Sequence, residues 1–326
     1  MKYRILFMCP YFGHLAGPQY KLWLHCCEKN PSIDFLIITD DDDALRIEHP
    51  KNVQMKQMSW EECKNLVQRK LNVSVSMAYS YKMCDLRPAY GHIFDEDIVG
   101  YDFWGHIDLT DTILGDLRKF ITDQILKEYD KISYYGHLSL YRNTQENNAR
   151  YQIPAKSGVS YKDLFQREEG TCFDDMYQSP SINDLFVEND FPLLEKVDGL
   201  VADILPFDWY FRLPGEEKRP APKVFEWNDG ILLEHSVADN AISTREIGYV
   251  HYQKRKVQYC IDSTSSRFYF VPNMVIEPDG DLTVEQIREY AKPRIYLDPI
   301  RGRVKRIMWY AKRPRVFARK LRETLR

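Results

Sequence analysis

A few stretches of the chain bring together residue types that can do chemistry. The first is Asp102-Phe103-Trp104-Gly105-His106-Ile107-Asp108-Leu109-Thr110-Asp111, an apolar run that ends on two carboxylates three residues apart. Hard oxygen ligands at the end of a strand suit Mg2+ or Mn2+ and leave coordination positions for substrate phosphates. A competing reading makes Asp111 or Thr112 the cap of a following helix. The second stretch is Tyr81-Lys82-Met83-Cys84-Asp85-Leu86-Arg87-Pro88. Lys82 and Asp85, three apart on a helical face, form either an exposed ion pair worth about 0.3–0.5 kcal/mol or a polar platform beside the carboxylate strand. The third is Gly248-Tyr249-Val250-His251-Tyr252-Gln253-Lys254-Arg255. An imidazole at a strand end beside two cations could ligate a metal and grip a diphosphate, against a structural histidine and solvated cations. His137 reads as a hydrogen-bonded structural histidine.

Other chemistries lack their signatures. No GxSxG or HExxH pattern supports a serine hydrolase or a zinc peptidase. No GxGxxG or GxxxxGK[ST] pattern supports a dinucleotide fold or a P-loop NTPase. The seven cysteines are odd in number and contain no CxxC pair, which argues against a disulfide framework or structural zinc and fits a reducing compartment.

The elements that must position these residues alternate. Lys2 to Cys9 reads as a buried strand, Pro18 to Cys27 as a helix, Ile33 to Thr39 as a strand followed by the acidic run Asp40 to Asp43, and Val53 to Met58 as a short strand. Ser59 is a plausible N-cap with Glu61 and Glu62 behind it. Ser76 to Leu86 is expected to be helical, Tyr101 to Ile107 strand, Thr112 to Glu128 helix, and Lys131 to Tyr135 strand. Repeated β-α-β order with near-continuous apolar strands implies a mainly parallel sheet flanked by helices, with ligands at the carboxyl ends of its strands. Residues 144–222 read as an insertion of loops and short helices over the sheet edge. Asn228-Asp229-Gly230 is a hairpin signal, and Glu246 to Gln253 a further strand.

At 326 residues, 44% hydrophobic and 29% charged, the chain has the composition of a soluble folded protein, with no apolar run of membrane-spanning length. The N-terminal apolar stretch is cut by Pro10 and reads as a first strand rather than a signal peptide, in a cytosolic protein. Residues 301–326 carry eleven Lys or Arg against Glu323 alone, leaving −13 on the other residues of a chain whose net charge is −3. A basic segment with apolar and aromatic side chains at helical spacing suits an interfacial anchor on the inner face of a membrane; nucleic acid is the rival partner, docking on the acidic body the plain alternative.

Four motifs in order, YKMCDLRPAYG, FWGHIDLTDTILGDLRKFI, GHLSLYRN and YVHYQKRK, resemble a bacterial glycosyltransferase-like family of unassigned specificity, associated with capsule and other surface-polysaccharide loci. The resemblance covers about residues 3 to 260. More distantly the chain is similar to the GT-A glycosyltransferases, with their DxD motif after a central strand and a late histidine motif. Asp108-Leu109-Thr110-Asp111 departs from the DxD pattern: read from the strand, Thr110 takes the second place, and read back from Gly115-Asp116, Asp111 does.

The resemblance implies a single GT-A-like α/β domain over residues 1–300, with 144–222 on the acceptor side and a basic tail. It implies a sugar moved from a nucleotide-sugar donor to a glycan or lipid-linked glycan. Asp108, Asp111 and His251 would hold Mn2+ or Mg2+, Lys254 and Arg255 the diphosphate, and Lys82 and Asp85 would line the donor site. Asp174 and Asp175 are candidates to bind or deprotonate the acceptor. A metal-dependent phosphohydrolase and a non-catalytic binding protein remain the alternatives.

Overall fold

The apolar run Ile5 to Cys9 becomes the buried first strand, β1 (Ile5–Tyr11). It lies in a computed structural model that describes residues 1–176, 179–253, 255–293 and Val304. Lys254 and, apart from Val304, the basic tail 301–326 lie outside the described residues. The chain divides into two compact units. One holds Met1–Val201 with Asp229–Leu232 and Ile247–Tyr249; the other holds Ala202–Asn228, Leu233–Glu246 and the described residues from Val250 on.

The first unit is a mixed α/β fold built on a seven-stranded, largely parallel sheet. Its strands are β1, β2 (Ile33–Thr39), β3 (Val53–Gln57), β4 (Phe103–Ile107), β6 (Lys131–Ile132), β7 (Leu138–Arg142) and β8 (Leu193–Leu194), in the order β3-β2-β1-β4-β7-β6-β8. β5 (Thr112–Leu114) stands outside it. β3, β2, β1 and β4 run parallel, with Ile5 opposite both Ile33 and Phe103. β7 is antiparallel to β4 and β6. Alternate residues of β1 serve two cores. Phe7 packs with Phe35 and through it Trp23 of helix α1 (Pro18–Glu28). Leu6 and Met8 join Leu36, Ile38, Val67, Met83 and Trp104. Burial on both faces is what lets these strands be continuously apolar.

Local signals explain where helices start. Short helix α2 (Asp42–Leu45) is capped by Asp41, and α3 (Trp60–Leu71) opens with a full capping box, Ser59 receiving the Glu62 amide while Glu62 receives that of Ser59. Two expectations are corrected. Residues 76–86 form no α-helix but a 3-10 helix, Ser80–Cys84, followed by another at Arg87–Ala89. Pro88 lacks the amide that an α-helix continuing through it would need, and sits instead in the first turn of the second 3-10 helix. Residues 112–128 are strand β5 and two short helices, Leu117–Phe120 and Asp123–Glu128. β-branched Thr112 and Ile113 favour the strand. Gly115 packs so tightly that a Cβ there would lie 2.7 Å from Leu232. Asp116, not Asp111 or Thr112, caps the next helix, accepting from the Arg118 and Lys119 amides. Residues 144–222 contain the short helices Gln145–Ala149, Tyr161–Phe165 and Ile182–Glu188 and the strand β9 (Val201–Asp203).

The second unit is built on a six-stranded sheet. Its strands are β10 (Lys223–Asn228), β11 (Ile231–Ala238), β12 (Ala241–Glu246), β14 (Gln258–Cys260), β15 (Arg267–Val271) and β16 (Met274–Ile276), in the order β12-β11-β10-β15-β16-β14. The turn between β10 and β11 places Asp229 and Gly230 at φ 47° and 94°, the left-handed pair the Asn-Asp-Gly signal implies. The strand expected over 246–253 is confined to β13 (Tyr249–His251). Helix Val284–Tyr290 packs Ile287 on Val224, Val237, Tyr269 and Val271. Among the described residues no helix is long and apolar enough to cross a membrane.

Candidate functional site

β4 runs Phe103 to Ile107 wholly buried and delivers Asp108 at its carboxyl end. The Asp108 amide donates to the His137 carbonyl at 2.9 Å, and its own carbonyl accepts from the Thr112 hydroxyl at 2.5 Å. Carboxylate oxygens of Asp108 and Asp111 lie within 4.8 Å of each other. A pair of half-exposed carboxylates at a strand end is a donor set that fits Mg2+ or Mn2+.

One cation is already present. Arg87 opens the 3-10 helix Arg87–Ala89, and its guanidinium donates to Asp108 Oδ1, to the Gly136 carbonyl and, at 3.0 Å, to Asp174 Oδ2 in the irregular loop 171–176. Its fork therefore joins the strand-end carboxylate to the first of the two loop acids. Gly136 lets those acids close in: a Cβ there would stand 2.9 Å from an oxygen of both Asp174 and Asp175. Asp174 is buried, and burial, opposed by Arg87 and reinforced by Asp175 and Asp85, pushes its carboxyl up to about 7. Asp175 is more open; burial raises it too, with the Met176 and Gly136 amides acting the other way. Lys131, fully buried in β6, donates to the Ser133 carbonyl and the Ser139 hydroxyl. Burial pushes its ammonium down to about 7, against the pull of Asp174 and Asp175. On β4, burial holds His106 neutral, and the charges of Arg87 and Lys131 add to that effect.

Lys82 and Asp85 are brought together, but inside the protein. Their side chains are 0% and 4% exposed and pair at 2.8 Å. Asp85 also accepts from the Thr171 and Cys172 amides, and Lys82 donates to the Glu169 carbonyl.

In the second unit, His251 Nδ1 meets Asp203 Oδ1 at 2.7 Å, and Gln253 donates to the same oxygen at 3.3 Å. A carboxylate on one ring nitrogen is the outer partner that ligating histidines commonly have. Arg255 is buried, donating to the Leu205 carbonyl at 2.9 Å and to Asn273 at 3.3 Å beneath the Phe211 ring.

Two other polar groupings occur in the first unit. His14, Asp41 and Asp43 present ligand-type atoms within 4.8 Å of one another. Asp41 is already engaged by the Leu15 and Ala16 amides at 2.6 and 2.9 Å. Burial would raise its carboxyl, but those amides and the ones at Asp43 and Ala44 outweigh it and hold it low. A cavity of about 390 Å³ beside α3 is lined by Lys56, Lys70, Asp95, Glu96 and Asp97, which neutralise one another at 2.5–3.2 Å.

The bridging by Arg87 and the burial of Lys131 are what sequence reading misses. Arg87 precedes a proline at the end of an expected helix and reads as a surface cation. The only signal for Lys131 is its place beside Ile132 in a strand expected to be buried.

Fold and site together define a mixed α/β protein with carboxylates and a guanidinium gathered at the end of a central strand. The chain belongs to a family described as one of unknown function, DUF6625, which it matches over residues 7–279. No curated protein matches it. Solved structures similar to it include the apo form of mouse xyloside xylosyltransferase 1, at 12% identity and TM-score 0.39, over 62% of this chain and 87% of that one. Another is the glycosyltransferase GlyE of Streptococcus pneumoniae TIGR4, at 14% identity and TM-score 0.32, over 60% of this chain and 45% of that one.

Proposed function

We propose that the protein is a GT-A-like glycosyltransferase that moves a sugar from a nucleotide-sugar donor to a hydroxyl of a surface glycan, free or lipid-linked, on the cytoplasmic side of the membrane. The observation that carries this reading is the meeting of two carboxylate groups around Arg87: Asp108 and Asp111 at the end of β4, and Asp174 and Asp175 on the loop. Transfer needs one group for a polyanionic leaving group and another for a proton. In the reaction the bond from the anomeric carbon to the diphosphate oxygen breaks and its electron pair leaves with the nucleoside diphosphate. The acceptor oxygen bonds to that carbon, and its proton passes to a carboxylate.

Asp108 and Asp111 would hold Mg2+ or Mn2+, which when bound supplies positive charge to the departing diphosphate. Asp175, the more open of the loop acids and raised by burial, faces the acceptor and takes its proton. Asp174, fixed to Arg87, keeps the guanidinium oriented between the two groups.

The test is a panel of nucleotide sugars with and without Mn2+, following released nucleoside diphosphate. Asp175→Asn should lower turnover about 100-fold or more while diphosphate binding persists. Cleavage within the diphosphate, with no sugar released or transferred, would overturn the transferase reading in favour of a phosphohydrolase.

A further inference from the structure

Two stretches far apart in sequence run side by side through an ordered series of bonds. The Ser76 amide donates to the Phe165 carbonyl at 2.9 Å. The Tyr79 hydroxyl donates to the Glu168 carbonyl at 3.1 Å, and the Lys82 ammonium to the Glu169 carbonyl at 3.0 Å. Asp85 receives the Thr171 amide on both oxygens, at 3.0 and 2.9 Å, and the Cys172 amide at 2.9 Å. Arg87 then reaches Asp174 at 3.0 Å. The partners advance together, with sequence separations of 86 to 89 along the whole series.

The spacing has a simple cause. A 3-10 helix has three residues per turn, so Lys82, within the helix Ser80–Cys84, and Asp85, its helical C-cap, share one face, while Tyr79 is the extended N-cap that precedes them. The segment they hold is irregular: Cys172 sits at φ 51°, and Thr171 to Met176 lie outside helix and strand. Buried amides in such a segment need acceptors, and Asp85 supplies them. With side-chain exposures of 0% and 4%, Lys82 and Asp85 are placed to hold backbone rather than ligand.

We propose that Asp85, with Lys82 as its counter-ion, is a positioning residue for the loop that carries Asp174 and Asp175, and that it acts on turnover through those acids without touching the donor. This rests on the reading of the loop acids as the acceptor-side carboxylates. The holding of the loop stands apart from that reading and is measured separately.

The experiment uses the full chain, wild type, Asp85→Asn and the double variant Lys82→Met with Asp85→Asn. The double variant leaves no buried ammonium unpaired, so it carries the test should the single variant fail to fold. Three readouts are taken: hydrogen exchange at residues 168–176, calorimetric binding of UDP and GDP with Mn2+, and kcat and KM for any nucleotide sugar the wild type turns over. Exchange at the Thr171 and Cys172 amides should rise at least tenfold, with β1 and β4 unchanged. Diphosphate affinity and donor KM should stay within twofold while kcat falls at least tenfold. Unchanged exchange at both amides in the folded variants would overturn the holding of the loop. Diphosphate binding weakened with kcat unchanged would overturn the positioning role and put Lys82 and Asp85 in the donor site. If the wild type turns over no nucleotide sugar, the transferase reading falls, and exchange alone decides whether Asp85 holds the loop.

Discussion

The β1–β4 half of the first unit and the paired stretches 76–87 and 165–174 are held by different physics. In the first, strand ladders satisfy the backbone and the side chains are left to pack: Ile5 to Tyr11 lie opposite Ile33 to Thr39 residue by residue. In the second there is almost no ladder, and the backbone of one stretch is satisfied by charged and hydroxyl side chains of the other. Regular structure hides its backbone and shows its side chains, whereas an irregular loop consumes side chains to hide its backbone. A conspicuous Lys and Asp three apart can therefore be structural equipment for a site without being part of its ligand shell.

Substitutions that strike the side-chain-supported half should cost most. Arg87→Ala leaves Asp174 buried without its partner and releases Asp108; a loss of about 3–5 kcal/mol is expected in urea unfolding. Arg87→Lys, which keeps the charge but not the fork, should recover only part of it. A loss for Arg87→Ala below about 1 kcal/mol would mean the loop is held without it.

Lys131 gives the next effect, and its sign depends on pH. Its folded-state pKa is depressed to about 7 from an ordinary lysine value of 10.5. Between those values the unfolded chain binds the extra proton, so this residue makes stability rise with pH. Lys131→Met should thus gain on wild type most at pH 7 and below. The gain should shrink by up to about 1.4 kcal/mol per pH unit toward pH 10. A difference between the two proteins that is flat with pH would show that Lys131 is not desolvated in the folded state.

Gly91→Ala should cost about 1–3 kcal/mol, because the new Cβ would lie 2.5 Å from the Trp104 ring, itself stacked on Tyr141. In the self-supporting half, Ser59→Ala breaks the capping box of α3 and should cost only about 1 kcal/mol. If Ser59→Ala proved costlier than Arg87→Ala, the contrast between the halves would be reversed.

The same contrast decides what was legible in the sequence. Strands β1, β2 and β4 follow from runs of mostly apolar residues, the start of α3 from Ser59 and Glu62, and the β10–β11 turn from Asp229-Gly230, because each depends on neighbours in the chain. Asp108 at a strand end was legible for that reason, since Phe103 to Ile107 announce the strand. The helix expected over 112–128 was not what formed, because the tight packing around Gly115 involves Leu232, Ile247 and Gly248, more than a hundred residues away. Arg87 owes its character to partners 21, 49 and 87 residues distant and Lys131 to burial, and no local pattern encodes either.

The central claim is that the carboxylates at the end of β4 take a divalent ion together with a nucleoside diphosphate. Calorimetric titration of UDP and GDP into the full chain, with and without Mn2+, tests it most directly, using wild type and Asp108→Asn at matched melting temperature. The account predicts binding to wild type that requires Mn2+ and is lost in Asp108→Asn. Metal-independent binding, or equal Mn2+-dependent binding by both proteins, would contradict it.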